Sequence, residues 1–128
     1  MVAVPLSADQ IEAGEALLRR LDEEGVKVDA ALWFYFADKE DWKLLLSLPE
    51  VIGQGPKAAY KEVQRILSGS KGPSGISLAD VAVARQSSDL LSSIRGAVGT
   101  VPGISQLRFV KCVFNGQFIE DALIYRLV

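Results

Sequence analysis

The chain has 128 residues, of which 49% are hydrophobic and 23% are charged, and its net charge is −2. These values are ordinary for a globular fold and exclude an intrinsically disordered chain. The length predicts one domain over residues 1–128, and the slightly acidic balance gives no reason to expect nucleic acid as a partner.

Two scarce residue types limit the possible chemistry. Histidine is absent, which removes Ser-His and Cys-His nucleophile pairs, histidine acid–base catalysis and histidine metal ligands. Cys112 is the single cysteine, so one chain can form neither an internal disulfide nor a structural zinc site. We therefore expect no cofactor, no metal and no catalytic activity.

Residues 8–24 have the pattern of an amphipathic helix. Ser7 and Gln10 have the spacing of a capping box at its start, and Gly25 follows its end. The acidic residues of the last turn, Asp22 among them, are predicted to face solvent. The apolar stripe consists of Ile11, Gly14, Leu17, Leu18 and Leu21.

Residues 26–37 predict a strand that is covered on both sides, because neither of its alternating faces is polar. A charged turn at 38–41 leads to a return strand at 42–48, which Pro49 ends. A second helix begins at Pro56, where a missing N–H costs nothing.

After this helix the sequence predicts a loop, a strand and a helix. The Gly-rich stretch 69–75 is typical of a loop, residues 80–84 form the third strand, and Ser87 or Ser88 caps a short third helix.

The C-terminal residues 104–128 predict a β-hairpin. Asn115 and Gly116 separate two β-rich runs, and this dipeptide favours a type I′ turn because both positions need positive φ. With these two residues in the loop, Phe114 pairs with Gln117 and the register follows outward from there. Strict alternation then places the Lys111–Glu120 pair on one face and the Arg108–Leu123 pair on the other.

These elements predict an α+β fold with the order α-β-β-α-β-α-β-β. It contains three helices and a five-stranded mixed sheet, in which right-handed crossovers make the second, third and fourth strands parallel. Three short helices cover about one face of such a sheet, so the other face is expected to be covered by something else.

The leading functional hypothesis is therefore a small binding domain that forms a homodimer through an uncovered sheet face. An unidentified protein or small molecule is a further possible partner. The residues assigned to this interface are Trp33, Tyr35, Trp42, Ile119, Leu123 and Tyr125.

Two alternatives remain open. Asp29, followed on the next strand by Asp41-Trp42-Lys43, resembles the PD-(D/E)xK nucleases. That resemblance implies a divalent metal held by the two carboxylates and a lysine that assists the attacking water. The second alternative is a small-ligand pocket lined by the aromatic residues.

The sequence also bears on location. The longest apolar run, at residues 30–37, is too short to span a bilayer, and the first seven residues lack the features of a signal peptide. A cytoplasmic protein without membrane partners is expected.

Overall fold

The computed structural model describes residues 5–69, 72–85, 87–100 and 102–128. Residues 1–4, part of the stretch used in the signal-peptide argument, and residues 70 and 71 of the Gly-rich loop lie outside it. Within these ranges the helices are α1 (Ala8–Glu23), α2 (Pro49–Ile52), α3 (Pro56–Leu67) and α4 (Asp89–Ala97). The strands are β1 (Ala30–Phe36), β2 (Asp41–Ser47), β3 (Val81–Val83), β4 (Leu107–Phe114) and β5 (Gln117–Leu127).

The predicted α+β class, the five-stranded mixed sheet and the C-terminal hairpin are confirmed. The described chain has four helices rather than three, because Pro49 both ends β2 and occupies the first turn of the short α2. The predicted capping box of α1 is present, with the Ser7 side chain accepting from the Gln10 backbone N–H.

The strand order is β3-β2-β1-β5-β4. β1 is antiparallel to both β2 and β5, β2 is parallel to β3, and β4 is antiparallel to β5. β4 therefore runs opposite to β2 and β3, so the prediction that the second, third and fourth strands are parallel is wrong for the fourth. The chain after α4 reaches the far edge of the sheet instead of adding a strand beside β3.

Both faces of β1 are covered, as its apolar alternation predicted. On one face Ala31, Trp33 and Tyr35 pack with residues of α1 and α3, and on the other Ala30, Leu32 and Phe34 pack with Leu91 and Ile94 of α4. The helices thus lie on both sides of the sheet. The expectation that they cover only one face is wrong, because the short α4 covers the second face over β1 and β5.

The hairpin register is confirmed from Phe114–Gln117 to Leu107–Ile124. Asn115 and Gly116 have φ values of 48° and 78°, as a two-residue turn of this type requires.

The faces of the hairpin differ from strict alternation. Lys111 lies in the middle of β4 with φ of 52°, the left-handed region, and it forms no ladder pair with Glu120. As a result Phe109 and Phe114 lie on the same side, with ring centroids 5.4 Å apart, and pack towards the α4 core. Ile119 joins that core as well.

Candidate binding surface and cleft at the hairpin end of the sheet

The six residues predicted for an interface are all buried within the single chain. Their exposed fractions are 5% or less. Trp33, Tyr35, Trp42, Leu123 and Tyr125 belong to the core beneath α1 and α3, and Ile119 belongs to the core beneath α4. A surface of this folded chain has to be built from other residues.

Trp33 and Tyr125 form a buried polar link instead. The Trp33 Nε1–H donates to the Tyr125 hydroxyl across 3.1 Å, and that hydroxyl donates to the Ile11 carbonyl of α1. Burial is the main cause that raises the pKa of Tyr125 well above its ordinary value, and the hydrogen bond from Trp33 opposes part of this effect. These groups connect α1 to the sheet.

The three residues of the nuclease alternative do not converge. Asp41 lies opposite Phe36, at the far end of β1 from Asp29, so about 20 Å of strand separates the two carboxylates. Lys43 Nζ lies 3.5 Å from the Asp41 carboxylate and donates to the Ala79 carbonyl. Asp29 is 4% exposed, and its Oδ1 accepts no hydrogen bond within the described chain. One ion cannot be held by both aspartates.

The exposed apolar residues concentrate on the β4–β5 hairpin. Val113 is 63% exposed, Val110 52% and Phe118 51%, and Val113 pairs with Phe118 across the two strands. We call Val110, Val113 and Phe118 the hairpin patch. The left-handed backbone at Lys111 places both Phe109 and Phe114 on the α4 side of the hairpin, and the hairpin patch remains exposed.

An ion pair borders the hairpin patch. Arg108 Nε and Nη2 donate to the two carboxylate oxygens of Asp121 across 2.6 and 2.7 Å, and the guanidinium lies 5.8 Å from the centre of the Trp42 ring. Bidentate geometry and stacking hold Arg108 in place. The predicted proximity of these two charges is confirmed.

A cleft of about 360 Å³ lies beside the hairpin patch, between the end of β1 and the start of β5. It exists because the β1–β5 ladder ends at Phe34–Ala122, while both strands continue beyond that pair. The cleft is lined by Phe34, Tyr35, Phe36, Ala37, Asp38, Leu90, Gln117, Phe118 and Glu120.

The cleft is acidic. Its lining includes Asp38 and Glu120, and burial followed by the charges of Glu40, Glu120 and Asp41 raises the pKa of Tyr35. Glu120 is half-buried and forms no ion pair or hydrogen bond with another described residue. The sequence places Lys111 opposite it, but no ion pair links the two. The sequence did not predict this cleft, because the point at which β1 and β5 stop pairing leaves no recognisable pattern in the nearby residues.

Other kinds of site find no support in the described part of the chain. It holds no group of three or more Asp, Glu, Cys or His side chains placed to bind a metal ion. None of its helices combines the length and hydrophobicity that crossing a bilayer requires. Comparison with known protein families, with curated proteins and with solved structures gives no match for this chain.

Proposed function

We propose that this protein is a binding domain that associates with a second copy of itself through the hairpin patch. The observation that supports this proposal is the exposure of Val110, Val113 and Phe118 on one side of a hairpin whose other side packs into the core. Large apolar side chains grouped on a surface, with charges around them, are typical of protein interaction sites.

Charge complementarity favours a second copy as the occupant. β4 carries the cations Arg108 and Lys111, and β5 carries the anions Glu120 and Asp121. In the proposed dimer the two hairpins face each other, and the two-fold axis lies between them, parallel to the strands. This symmetry places β4 of one copy over β5 of the other. Opposite charges then face each other around the apolar centre, as a self-complementary interface requires.

Association by pairing the free edges of two β4 strands is disfavoured. The left-handed backbone at Lys111 interrupts the straight edge that a neighbouring strand would pair with, and the lysine adds charge there. Both features are devices by which proteins protect edge strands. The proposed contact is therefore face to face rather than edge to edge.

The size of the hairpin patch implies weak association. Three partly exposed side chains provide a few hundred Å² of apolar surface, whereas a standard interface buries about 800 Å² on each partner. We expect a dimer that forms over the micromolar range and above, and not an obligate one.

The test is light scattering behind a sizing column over a series of protein concentrations. The wild-type mass is expected to rise from one chain towards two, and Val113→Lys is expected to remain monomeric because it places a charge in the apolar centre. Gln54→Lys is the matched control, since Gln54 is exposed and lies between α2 and α3. A constant monomer mass for the wild type, or equal dimerisation of Val113→Lys, contradicts the proposal.

The cytoplasmic location is part of the same proposal and rests on the sequence. A single cysteine and no disulfide are compatible with a reducing compartment. Fractionation of the source cells, followed by detection of the protein in each fraction, tests the proposed location. Recovery of the protein in the secreted or membrane fraction contradicts it.

A further inference from the structure

We propose that the cleft between β1 and β5 binds a basic side chain, arginine or lysine, presented by another polypeptide. The cleft shares Phe118 and Glu120 with the surface proposed for self-association, so a bound polypeptide and a second copy compete for these two residues. Three features of the cleft support the proposal, namely its aromatic walls, its charge and the accessible hydroxyl of Tyr35.

The walls suit a cation with an apolar stem. Phe118 is half exposed at the rim, Phe36 is partly buried, and the Phe34 and Phe36 rings lie 4.8 Å apart between centroids. Aromatic faces attract ammonium and guanidinium groups through the ring quadrupole, and they also pack against the methylene stem of the same side chain.

The charges in the cleft have one sign. Asp38 and Glu120 line it, Glu40 and Asp41 lie in and just after the adjacent turn, and no lysine or arginine is among the lining residues. Lys39 of the same turn is exposed and outside the lining. A half-buried carboxylate without a described partner, as at Glu120, is partly desolvated and gains from a cation that enters.

The hydroxyl of Tyr35 is the third feature. The residue as a whole is 5% exposed and lines the cleft, and its hydroxyl is not among the buried polar atoms. The hydroxyl makes no hydrogen bond with another described residue, so it is free to accept one from a ligand in the cleft. An N–H of a bound guanidinium or ammonium group supplies one.

The dimensions agree with a side chain rather than a large ligand. A volume of about 360 Å³ is at the low end for ligand pockets. One end of the cleft is formed by strand segments that no longer pair with each other, so the site opens at the surface where a polypeptide can approach.

The experiment is a titration followed by backbone amide NMR, with acetyl-Gly-Arg-Gly-amide as the probe. Saturable shifts are expected at residues 34–38 and 117–120, in the millimolar range that one charged side chain supports. The same peptide with citrulline, which has the shape of arginine without its charge, is expected to give no saturable shift. Equal binding of the citrulline peptide overturns the proposal.

Two variants test the assigned groups. Glu120→Gln is expected to raise the Kd about three- to tenfold, whereas Glu50→Gln, which removes the same charge from an exposed position in α2, is expected to leave it unchanged. Tyr35→Phe is expected to raise the Kd while the melting temperature stays the same, because the hydroxyl has no described partner within the fold. Equal Kd values for the wild type and Glu120→Gln overturn the proposal.

Two further titrations address two separate questions. The first asks whether the cation has to be part of a polypeptide, and the second asks whether self-association affects binding of the peptide. The ethylguanidinium ion is expected to bind no more tightly than the peptide, and tighter binding of this small ion overturns the assignment to a polypeptide. The titration is repeated on Val113→Lys, which is expected to bind the peptide at least as tightly as the wild type, because no second copy competes for Phe118 and Glu120. Loss of peptide binding in this folded monomer overturns the assignment of the site to the cleft of a single chain.

Discussion

The indole Nε1 of Trp33 and the hydroxyl of Tyr125 lie 3.1 Å apart and hydrogen bond beneath α1, close to Gly14. A Cβ atom at Gly14 would lie 2.5 Å from the first atom and 2.7 Å from the second. The glycine in the apolar stripe of α1 is therefore required by close approach of the sheet, and not by the conformation of the helix.

Gly14→Ala is expected to lower the free energy of unfolding by about 1–2 kcal/mol. Alanine in a helix normally stabilises by up to about 1 kcal/mol, but overpacking against two ring systems costs about 1–3 kcal/mol. Gly53→Ala is the control, because Gly53 has right-handed backbone angles and no atom within 4 Å of an added Cβ. Urea denaturation measures both, and an unchanged or increased stability of Gly14→Ala contradicts the packing described.

Gly116→Val is expected to destabilise the protein by about 1 kcal/mol or more. Gly116 has φ of 78°, a conformation that a β-branched residue resists. Gly99→Val, at a position with open space and without positive φ, is the matched substitution. Melting curves of the two variants provide the comparison, and equal effects would argue against a strained turn at Gly116.

Arg126→Ala is expected to lower the free energy of unfolding by about 1–3 kcal/mol. Arg126 is 6% exposed and donates to both carboxylate oxygens of Asp22, 3.0 and 2.8 Å away, and to the Val28 and Gly103 carbonyls. Its removal leaves the buried Val28 carbonyl without this donor, whereas the exposed Asp22 carboxylate and Gly103 carbonyl can be hydrated.

Arg126→Lys is the sharper test of the same contacts. It keeps the charge but loses the planar fork, so we expect it to be destabilised as well. Chemical denaturation of both variants measures the effect. Wild-type stability in Arg126→Lys would show that charge alone suffices at this position.

Tyr125 is expected to make stability fall at alkaline pH. Its pKa is raised in the folded protein, chiefly by burial, whereas an unfolded tyrosine titrates near pH 10. The folded state therefore keeps a proton that the unfolded state loses, and stability present below about pH 10 is lost as the pH rises further. Tyr125→Phe removes this contribution, so its stability should decline less steeply. Parallel pH profiles for the two proteins would contradict the assignment.

Divalent metal is expected not to bind Asp29 and Asp41 together. The antiparallel register places them at opposite ends of the β1–β2 hairpin. Addition of Mn²⁺ with backbone amide NMR tests this, since the ion broadens only nearby signals. Broadening centred on both residues, or nucleic-acid cleavage that Asp41→Ala abolishes, would restore the nuclease alternative.

The elements that could be read from the sequence are those with local causes. The start of α1 depends on Ser7 and Gln10, which are neighbours in the helix, and the hairpin register depends on the adjacent Asn115 and Gly116. In each case the determining contacts lie within a few residues, so the chemistry of a short stretch is sufficient. The apolar faces of β1 likewise indicated burial on both sides.

Tertiary structure decided the features that carry the functional proposals. Asp22 was predicted to face solvent, but it binds Arg126, which comes from the other end of the chain. The left-handed backbone at Lys111 places Phe114 on the α4 side, and Val113 remains exposed.

The interface assigned from sequence shows the same limit. An apolar residue such as Trp33 signals burial, but only the positions of all the helices show whether its own chain or a partner covers it. The cleft at Tyr35 and Glu120 arises where β1 and β5 stop pairing. The order of the strands, the placement of the helices and the point at which two strands stop pairing all depend on free-energy differences among distant contacts. No short stretch of sequence contains those contacts.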